Sequence, residues 1–383
     1  MLRLLWLLLL LPVALLLIKL LWVVWGCACF GNLQSEKRDI LQRRNYLVSR
    51  LCTTPQQIIA AYPSEIGEQF QGEWAIYSCS MLAEAMSNMT RLYPETQTQN
   101  IAHIDTLIQM VMSPDLRWYD ACRWGEDPLE TLAGQNSHLS YLSHLVWMIC
   151  RYKMSGGDGK YDQLLHKLCE ALNRRMLSTP KLNIETYPYE SIYIPDMLVA
   201  VVALRLYADL YHGEYGATVA QWLNYAKTEW LDAKTGLLYS MLNRDGTPCY
   251  SEVKGSYSAL NCYFLTLLDE EFAKEQYEQL KMHFWKRGFL SGLKESQLGY
   301  LKFGFDIDAG PILFELSPSG TAFMTGSATY FEDKKIRGAI LRTAEVAGHT
   351  VQWGKQRHYL LGGFVPVGEA IMLAMRTNVA SQK

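Results

Sequence analysis

The chain begins with an unbroken apolar stretch and continues with an alternation of two kinds of helix. Residues 4–30 are apolar except for Lys19, and a run of about 20 apolar residues is long enough to cross a bilayer. We therefore predict a membrane anchor over residues 1–33. Two alternatives remain. Residues 4–18 also suit the apolar core of a cleaved signal peptide, and residues 24–27 resemble a lipoprotein cleavage site ahead of Cys27.

The flanking charges and the cysteines bear on which side of the membrane the body lies. Arg3 precedes the apolar stretch, whereas five basic residues follow it between positions 37 and 50. The positive-inside rule then keeps the body in the cytoplasm, while a short N-terminal signal-anchor would export it to the periplasm. The cysteines number nine, which is odd, and several lie in apolar helical patterns. They resemble buried free thiols, which favours the cytoplasmic side. We predict a single-pass protein of the bacterial inner membrane, with the side left open.

Two kinds of predicted helix alternate beyond residue 34. The charged, amphipathic helices cover residues 35–52, 101–112, 161–176, 217–230, 272–284 and 334–346. The more apolar helices cover residues 74–92, 139–150, 197–211, 259–268, 310–328 and 365–375. Near-regular spacing of this kind indicates a repeat architecture.

The six apolar helices predict a closed ring. A helix that is apolar on most sides must be buried on most sides, and an inner ring of six, surrounded by the six amphipathic helices, satisfies every face. We predict an all-α fold, an (α/α)6 toroid of six helical hairpins forming one domain over residues 34–383. A simple helical bundle is the alternative, but it does not explain six evenly spaced pairs. Residues 237–250 predict a small β-hairpin insertion, with Asp245-Gly246 at its turn.

Composition and motifs narrow the chemistry. The 383 residues have a net charge of −2 without a long basic block, which does not suggest a nucleic-acid partner. Glycine-rich phosphate or dinucleotide loops and a nucleophile-elbow motif are missing, as are cysteine–histidine clusters with zinc spacing. We expect no metal and no cofactor, and a small-molecule or glycan substrate handled by carboxylates with histidine and tyrosine. A homo-oligomer is left open.

The loops that lead into the six inner helices meet at one end of such a ring. Nearly every one brings acidic and aromatic side chains, and the first contains Glu73 and the fourth Tyr250 and Tyr257. The catalytic candidates are His138, Glu185, Asp196, Asp120 and Asp306. The candidate substrate-binding residues are Trp118, Tyr119, Trp124, Tyr187, Tyr189, Tyr193, Glu252, Asp308, His358 and Tyr359.

Structural roles compete with these assignments. Asp196 follows Pro195 at a helix start, where an acid also stabilises the helix dipole, and Asp308 has the position of a cap for the fifth inner helix. His138 on an apolar helix is compatible with a satisfied core residue, although a histidine also exchanges protons near neutral pH. The tyrosines of the third loop suit either packing or a stacking wall.

From Asp127 to His283 the chain resembles the catalytic domain of the linalool dehydratase/isomerase family. The resemblance is carried by "DPLETLAGQNSHLSYLSHLVW" and by "LYHGEYGATVAQWLNYAKTEWLDAKTGLLYSML". It implies an (α/α)6 toroid, and it places the family's active-site histidine on His138. The family's two active-site cysteines fall near Glu185 and Ile194, neither of which is cysteine, so the thiol-assisted reaction does not transfer. Glu73 and Tyr77 lie near the position of the family's N-terminal acid–tyrosine pair.

These observations predict a membrane-anchored enzyme that performs carboxylate and histidine acid–base chemistry on an alcohol or a hydroxyl-rich substrate. The resemblance favours a lyase or isomerase, while the acids also suit a glycoside hydrolase or sugar epimerase acting on a polysaccharide. A non-catalytic ligand-binding or envelope-assembly protein is the alternative from a different class, and the missing cysteine pair favours it.

Overall fold

The computed structural model describes residues 2–249, 252–299 and 302–380, with side chains from Leu11 onward except Leu361. Tyr250, named above, lies outside the described residues. Within them the chain forms 15 α-helices and four small two-stranded sheets. The prediction of a mostly helical protein is confirmed, and one N-terminal helix is long and apolar enough to span a membrane.

The predicted helices are present, with shifted bounds. The first helix, α1, covers Leu2–Cys27. The apolar set comprises α4 (Glu68–Leu92), α7 (Leu139–Met154), α9 (Ile194–Leu210), α11 (Gly255–Leu265), α13 (Pro318–Tyr330) and α15 (Pro366–Thr377). The amphipathic set comprises α2 (Leu33–Leu51), α5 (Gln97–Val111), α8 (Asp162–Leu177), α10 (Gly216–Glu229), α12 (Glu270–Phe284) and α14 (Lys334–Gly348). Two short helices, α3 (Pro55–Ile59) and α6 (Pro114–Trp124), complete the series.

Each of the six apolar helices contacts the next one along the chain, and the last contacts the first, so that the contacts form a closed cycle. Helix α4 contacts α7, then α7 contacts α9, α9 contacts α11, α11 contacts α13, α13 contacts α15, and α15 contacts α4. Each amphipathic helix packs against one or two members of this cycle. The apolar helices are also the more buried set. Helix α7, for example, is buried without a break from Leu139 to Tyr152.

The starts of α4, α9, α11 and α13 lie together. Tyr77 on α4 hydrogen-bonds Asp196 on α9, the Tyr193 ring ahead of α9 packs on Tyr257 of α11, and Tyr257 hydrogen-bonds Asp308 ahead of α13. We call this end of the helices the site end.

Three β-hairpins that the sequence did not predict lie at the site end. They are β3 (Trp285–Lys286) with β4 (Gly292–Leu293), β5 (Phe303–Asp306) with β6 (Gly310–Leu313), and β7 (Thr350–Trp353) with β8 (Gln356–Tyr359). The prediction of a helix over residues 310–328 is wrong at its start, because residues 310–313 form strand β6. Ser317 caps α13 by accepting a hydrogen bond from the Gly320 N–H. Asp308 is therefore a turn residue and not the cap of the fifth inner helix.

The predicted hairpin at residues 237–250 pairs differently from expectation. Its strand β2 (Met241–Leu242) pairs with β1 (Ile192–Tyr193), which immediately precedes α9. A single bridge between Leu242 and Pro248 closes the turn around Asp245. This pairing holds the third inner loop against the fourth.

Helix α6 occupies a segment for which the sequence predicts a loop leading into α7. Ser113 accepts a hydrogen bond from the Leu116 N–H, Pro114 fills the first helical position, and Gly125 ends the helix in a left-handed conformation at φ 73°. Such a start and stop are favourable because Pro has no N–H to lose and Gly bears no Cβ. As a result, Tyr119 and Asp120 are presented from a helix.

A buried ionic network joins α2 to α14 and α15. Arg43 donates to Asp39 at 3.0 Å and to Glu369 at 3.1 Å, and lies 3.5 Å from Glu345. Arg376 forms a second ion pair with Asp39 at 2.5 Å. Charges removed from water must be paired in this way to be tolerated. The network therefore holds α2 against the helices that complete the cycle.

Candidate functional site

Three carboxyl groups at the starts of three inner helices lie close enough to influence one another. Glu73 lies in the second turn of α4, Asp196 in the first turn of α9, and Asp308 in the β5–β6 turn ahead of α13. The charges of Asp196 and Asp308 act on Glu73, and the charge of Asp308 acts on Asp196. We call these residues the acid cluster.

Asp196 is held by two hydroxyl groups. The Tyr77 hydroxyl donates to its Oδ1 at 2.9 Å, and the Thr186 hydroxyl donates to its Oδ2 at 2.7 Å. Burial, with the charges of Asp308 and Glu190, raises the pKa of Asp196 to about 6 against the effect of these hydrogen bonds. Asp196 is therefore mainly ionised at neutral pH and still capable of accepting a proton.

Glu73 has the more strongly perturbed environment. Burial, together with the negative charge of Asp196, raises the pKa of Glu73 to about 8, although Tyr187 and Arg123 oppose the increase. Its Oε2 atom is enclosed and has no partner within hydrogen-bonding distance among the described residues. Since a buried carboxyl with an unpaired oxygen atom is costly as an anion, Glu73 is mainly protonated at neutral pH.

Asp308 and Asp306 are bridged by a lysine at the outer edge of the acid cluster. The Tyr257 hydroxyl donates to Asp308 Oδ2 at 2.7 Å, and Lys254 Nζ lies 2.8 Å from Asp306 and 3.5 Å from Asp308. Burial raises the pKa of Asp308. For Asp306 the ion pair with Lys254 outweighs burial and lowers the pKa. Asp306 also accepts the Ala309 N–H at 3.0 Å and so fixes the turn.

A second constellation links an aspartate, a histidine and a glutamate. His138 Nδ1 lies 2.5 Å from Asp120 Oδ2, and His138 Nε2 lies 3.2 Å from Glu126 Oε1. The His138 ring is fully buried and 5.4 Å from the Trp124 ring. Its backbone has φ 48°, the left-handed conformation, where it precedes α7. Burial raises the pKa of Asp120 against the opposing effect of His138.

Glu126 connects this constellation to solvent. Its side chain is 31% exposed, whereas those of Asp120 and His138 are fully buried. Desolvation acts to raise the pKa of Glu126, but hydrogen bonds from His138, Asn136 and Thr131 outweigh it and lower the pKa. The three residues form a continuous hydrogen-bonded path from the interior to the surface.

Tyrosines join the two constellations. The Tyr119 hydroxyl lies 2.9 Å from Ser140 Oγ, and burial with the charges of Asp120 and Glu73 raises the pKa of Tyr119. The Tyr187 ring lies beneath the Arg123 guanidinium at 4.0 Å. Burial and the charge of Glu73 raise the pKa of Tyr187. Both phenols therefore stay protonated beside Glu73.

Several predicted residues lie at the periphery. Glu185 forms an ion pair with Arg244 and accepts the Tyr189 N–H at 3.0 Å. The Tyr189 side chain is exposed, and so is that of Trp118. Glu252 accepts hydrogen bonds from the Ser296 hydroxyl at 2.5 Å and the Gln297 N–H at 3.1 Å, and the Tyr193 ring packs edge-on against Tyr257.

The sixth inner loop serves the buried ionic network. The His358 ring stacks on Tyr46 at 4.0 Å, and the Tyr359 ring lies 4.0 Å from the Arg43 guanidinium. Both residues thereby support α2, and neither has a described contact with the acid cluster. Two grooves of about 820 and 530 Å³ lie elsewhere, one between Asp269 and Phe331 and the other between Trp22 and Gly354.

The structure adds residues that are not among the catalytic and substrate-binding candidates predicted from the sequence. Glu73 and Tyr77 on α4, Glu126 beside His138, and Lys254 between the two aspartates all belong to the assembled site. The signal available in the sequence is their position in or beside the inner loops.

A comparison of the chain with models of known protein families finds no match. Among the described residues, no group of three or more His, Cys, Asp or Glu is arranged to hold a metal ion.

Proposed function

We propose that the protein is a membrane-anchored acid–base enzyme with an (α/α)6 toroid fold and its reaction centre at the acid cluster. The closed cycle of helix contacts supports the toroid. The length and apolar composition of α1 support the anchor. The similarity to linalool dehydratase/isomerase stays a proposal, which favours a lyase or isomerase acting on an alcohol.

The pair Glu73 and Asp196 carries the proposal. Their pKa values of about 8 and about 6 lie on either side of neutrality. Two carboxyl groups whose environments separate their pKa values supply a general acid and a general base at the same pH. A purely structural ion pair gives no such separation, because each partner then stays charged.

The chemistry assigned to the pair is a dehydration. Glu73 donates its proton to the substrate hydroxyl while the carbon–oxygen bond breaks and water leaves. Asp196 accepts a proton from the adjacent carbon, and the electron pair of that carbon–hydrogen bond becomes the new double bond. Reversing these steps at another carbon gives isomerisation. We assign to His138, hydrogen-bonded to Asp120 and Glu126, the exchange of protons with solvent.

Glycosidic cleavage is the second candidate. One protonated and one ionised carboxyl also constitute the usual pair of a glycoside hydrolase. In this reaction Glu73 would protonate the leaving glycosidic oxygen and Asp196 would act at the anomeric centre. Turnover of an alcohol or of an aryl glycoside distinguishes the two reactions.

The protonated state of Glu73 is testable without a known substrate. Dicyclohexylcarbodiimide reacts with protonated carboxyls in apolar surroundings, and mass spectrometry locates the adduct. We expect labelling of Glu73 at neutral pH that disappears above about pH 8. Glu84, buried on the same helix but paired with Arg151, serves as the internal control. Equal labelling of both, or no labelling of Glu73, contradicts the assignment.

Turnover tests the reaction itself. The full chain in detergent is incubated with linalool and with aryl glycosides, and products are detected by gas chromatography and absorbance. We expect E73Q and D196N to lose turnover by about 100-fold or more, since general acid–base groups contribute about 10²–10⁴-fold. E185Q is the matched control and should retain activity because Glu185 pairs with Arg244. Full activity of E73Q and D196N would refute the mechanism.

A further inference from the structure

The direction of α1 relates the membrane to the site end. Lys19 Nζ lies 2.8 Å from His349 Nδ1, and the Trp22 indole N–H donates to the Thr350 carbonyl at 2.5 Å. Both partners lie just past the C-terminal end of α14, which is at the site end. Further along, the Phe30 ring lies 5.0 Å from the Arg376 guanidinium, in the last turn of α15 at the opposite end.

The part of α1 before Lys19 therefore projects beyond the site end. It contains 17 residues from Leu2 to Ile18, which at about 1.5 Å per residue extend roughly 25 Å. That is close to the thickness of a bilayer core of about 30 Å. Trp22 and Trp25 follow at the level of the domain surface, and Trp is the residue enriched at membrane interfaces.

Exposed apolar side chains are concentrated at this same end. Trp353 at the β7–β8 tip and Phe289 beside β3 are each 88% exposed, and Phe364 ahead of α15 is also exposed. At the opposite end, the described loops 93–96, 155–161, 211–215, 266–269 and 331–333 contain no exposed large apolar side chain, and those exposed beside them are Leu33, Met154 and Val379. An apolar surface concentrated at one end indicates a partner at that end.

The β5–β6 hairpin gives this surface a defined face. Phe303 pairs with Leu313 and Phe305 with Pro311, so these four residues lie on one side of the hairpin, and all four are exposed. Ile312, on the other side, is fully buried. The turn of this hairpin contains Asp308 of the acid cluster.

We propose that the site end rests on the bilayer that α1 enters, with Phe303, Phe305 and Leu313 of the β5–β6 hairpin and Trp353 of the β7–β8 hairpin in its interface. The geometry then gives the acid cluster a substrate from the lipid phase, an amphiphile whose hydroxyl group lies at the interface. This substrate class rests on the proposed function. Arg287, Lys302 and Lys355 are exposed beside the apolar residues, which suits a surface of anionic headgroups.

Photo-crosslinking to lipid tests the surface. The full chain is placed in phosphatidylcholine nanodiscs containing a lipid with a diazirine on its acyl chain, and adducts are mapped by mass spectrometry. We expect adducts on the β5–β6 hairpin and on Trp353 as well as on α1. The loops at residues 93–96 and 331–333, at the opposite end, should have none.

A matched pair of variants separates docking from anchoring. The double variant F303S/F305S should lose most adducts on the hairpin while keeping those on α1, and M154S at the opposite end should change nothing. Both variants should keep the thermal unfolding temperature of the parent, because the altered side chains are exposed. Absence of hairpin adducts in the parent, or shielding of the hairpin by a second copy or another protein, overturns the inference.

The same preparation distinguishes this inference from the proposed function. Hairpin adducts together with turnover of a lipid-dissolved alcohol support both. Hairpin adducts without turnover that depends on Glu73 refute the proposed enzyme function and still support the membrane-facing surface. Turnover without hairpin adducts supports the enzyme and refutes the membrane-facing surface.

Discussion

Replacing Glu73 with glutamine removes the ionisable group of the acid cluster that the fold most disfavours as an anion. Glutamine keeps the shape of the side chain and cannot acquire the charge. In the folded protein the pKa of Glu73 is about 8, against an ordinary value of 4.5. The folded state thus binds this proton more tightly than the unfolded state does.

The sign of the pH dependence follows from this difference. Below about pH 4.5 the group is protonated in both states and has no effect on the free energy of unfolding. Between about pH 4.5 and pH 8 the unfolded chain loses the proton first, so stability falls as pH rises. Above about pH 8 both states are ionised and the loss is constant.

The full loss is roughly 5 kcal/mol at about 1.4 kcal/mol per pH unit. This is an upper bound, because the residue as a whole keeps some exposed surface. Between pH 5 and pH 7 the loss amounts to about 2–3 kcal/mol. With about 2.1 cal/mol/K of unfolding entropy per residue, that change corresponds to roughly 3 °C in melting temperature.

The assay measures the melting temperature of the full chain in detergent from pH 5 to pH 9, with circular dichroism as the signal for unfolding. We expect E73Q and the parent to coincide near pH 5 and E73Q to melt about 3 °C higher by pH 7. E68Q is the matched control, since Glu68 is exposed at the start of the same helix, and its curve should follow the parent. Parallel curves for E73Q and the parent across the whole range would refute the reasoning.

Three further predictions follow from the packing. G255A should lower the free energy of unfolding by about 2–3 kcal/mol in denaturant titration, because a Cβ there would lie 1.9 Å from the Lys294 carbonyl oxygen; an unchanged midpoint contradicts the close approach. R43M should cost about 3–5 kcal/mol in the same titration by leaving buried carboxylates unpaired, and a stabilised variant would show that the network is dispensable. D120N should reduce turnover at least 10-fold with helicity retained, by removing the carboxylate charge 2.5 Å from His138 Nδ1; loss of helicity would instead indicate a structural role.

Helices can be predicted from the sequence where one face, or every face, of a long segment is apolar and buried. The apolar pattern of α7 extends over four turns, and the structure buries it without interruption from Leu139 to Tyr152. The segment 310–313 is apolar as well, and it lies next to the apolar helix α13. A strand of four residues is too short for its alternation to be distinguished from an adjoining apolar helix. Its hairpin partner, β5, was missed for the same reason.

The members of the acid cluster were harder to predict than the loops that contain them. Glu73 acquires its high pKa from burial and from Asp196, which lies far away along the chain. Proximity of this kind has no local signature in a single sequence. His358 and Tyr359 show the converse, since their loop has the expected composition but packs against Tyr46 and Arg43.

The contacts of α1 and α2 with the last part of the chain have a consequence for biosynthesis. Lys19 and His349 are separated by 330 residues, and Arg43 and Glu369 by 326. At about 5–20 residues per second, translation of such a separation takes roughly 15–70 s. During that interval α1 is already available to the membrane, while the apolar faces of α4 and its neighbours wait for α15. If α1 is the membrane anchor proposed above, the nascent domain is tethered at the bilayer surface before its cycle of helices closes.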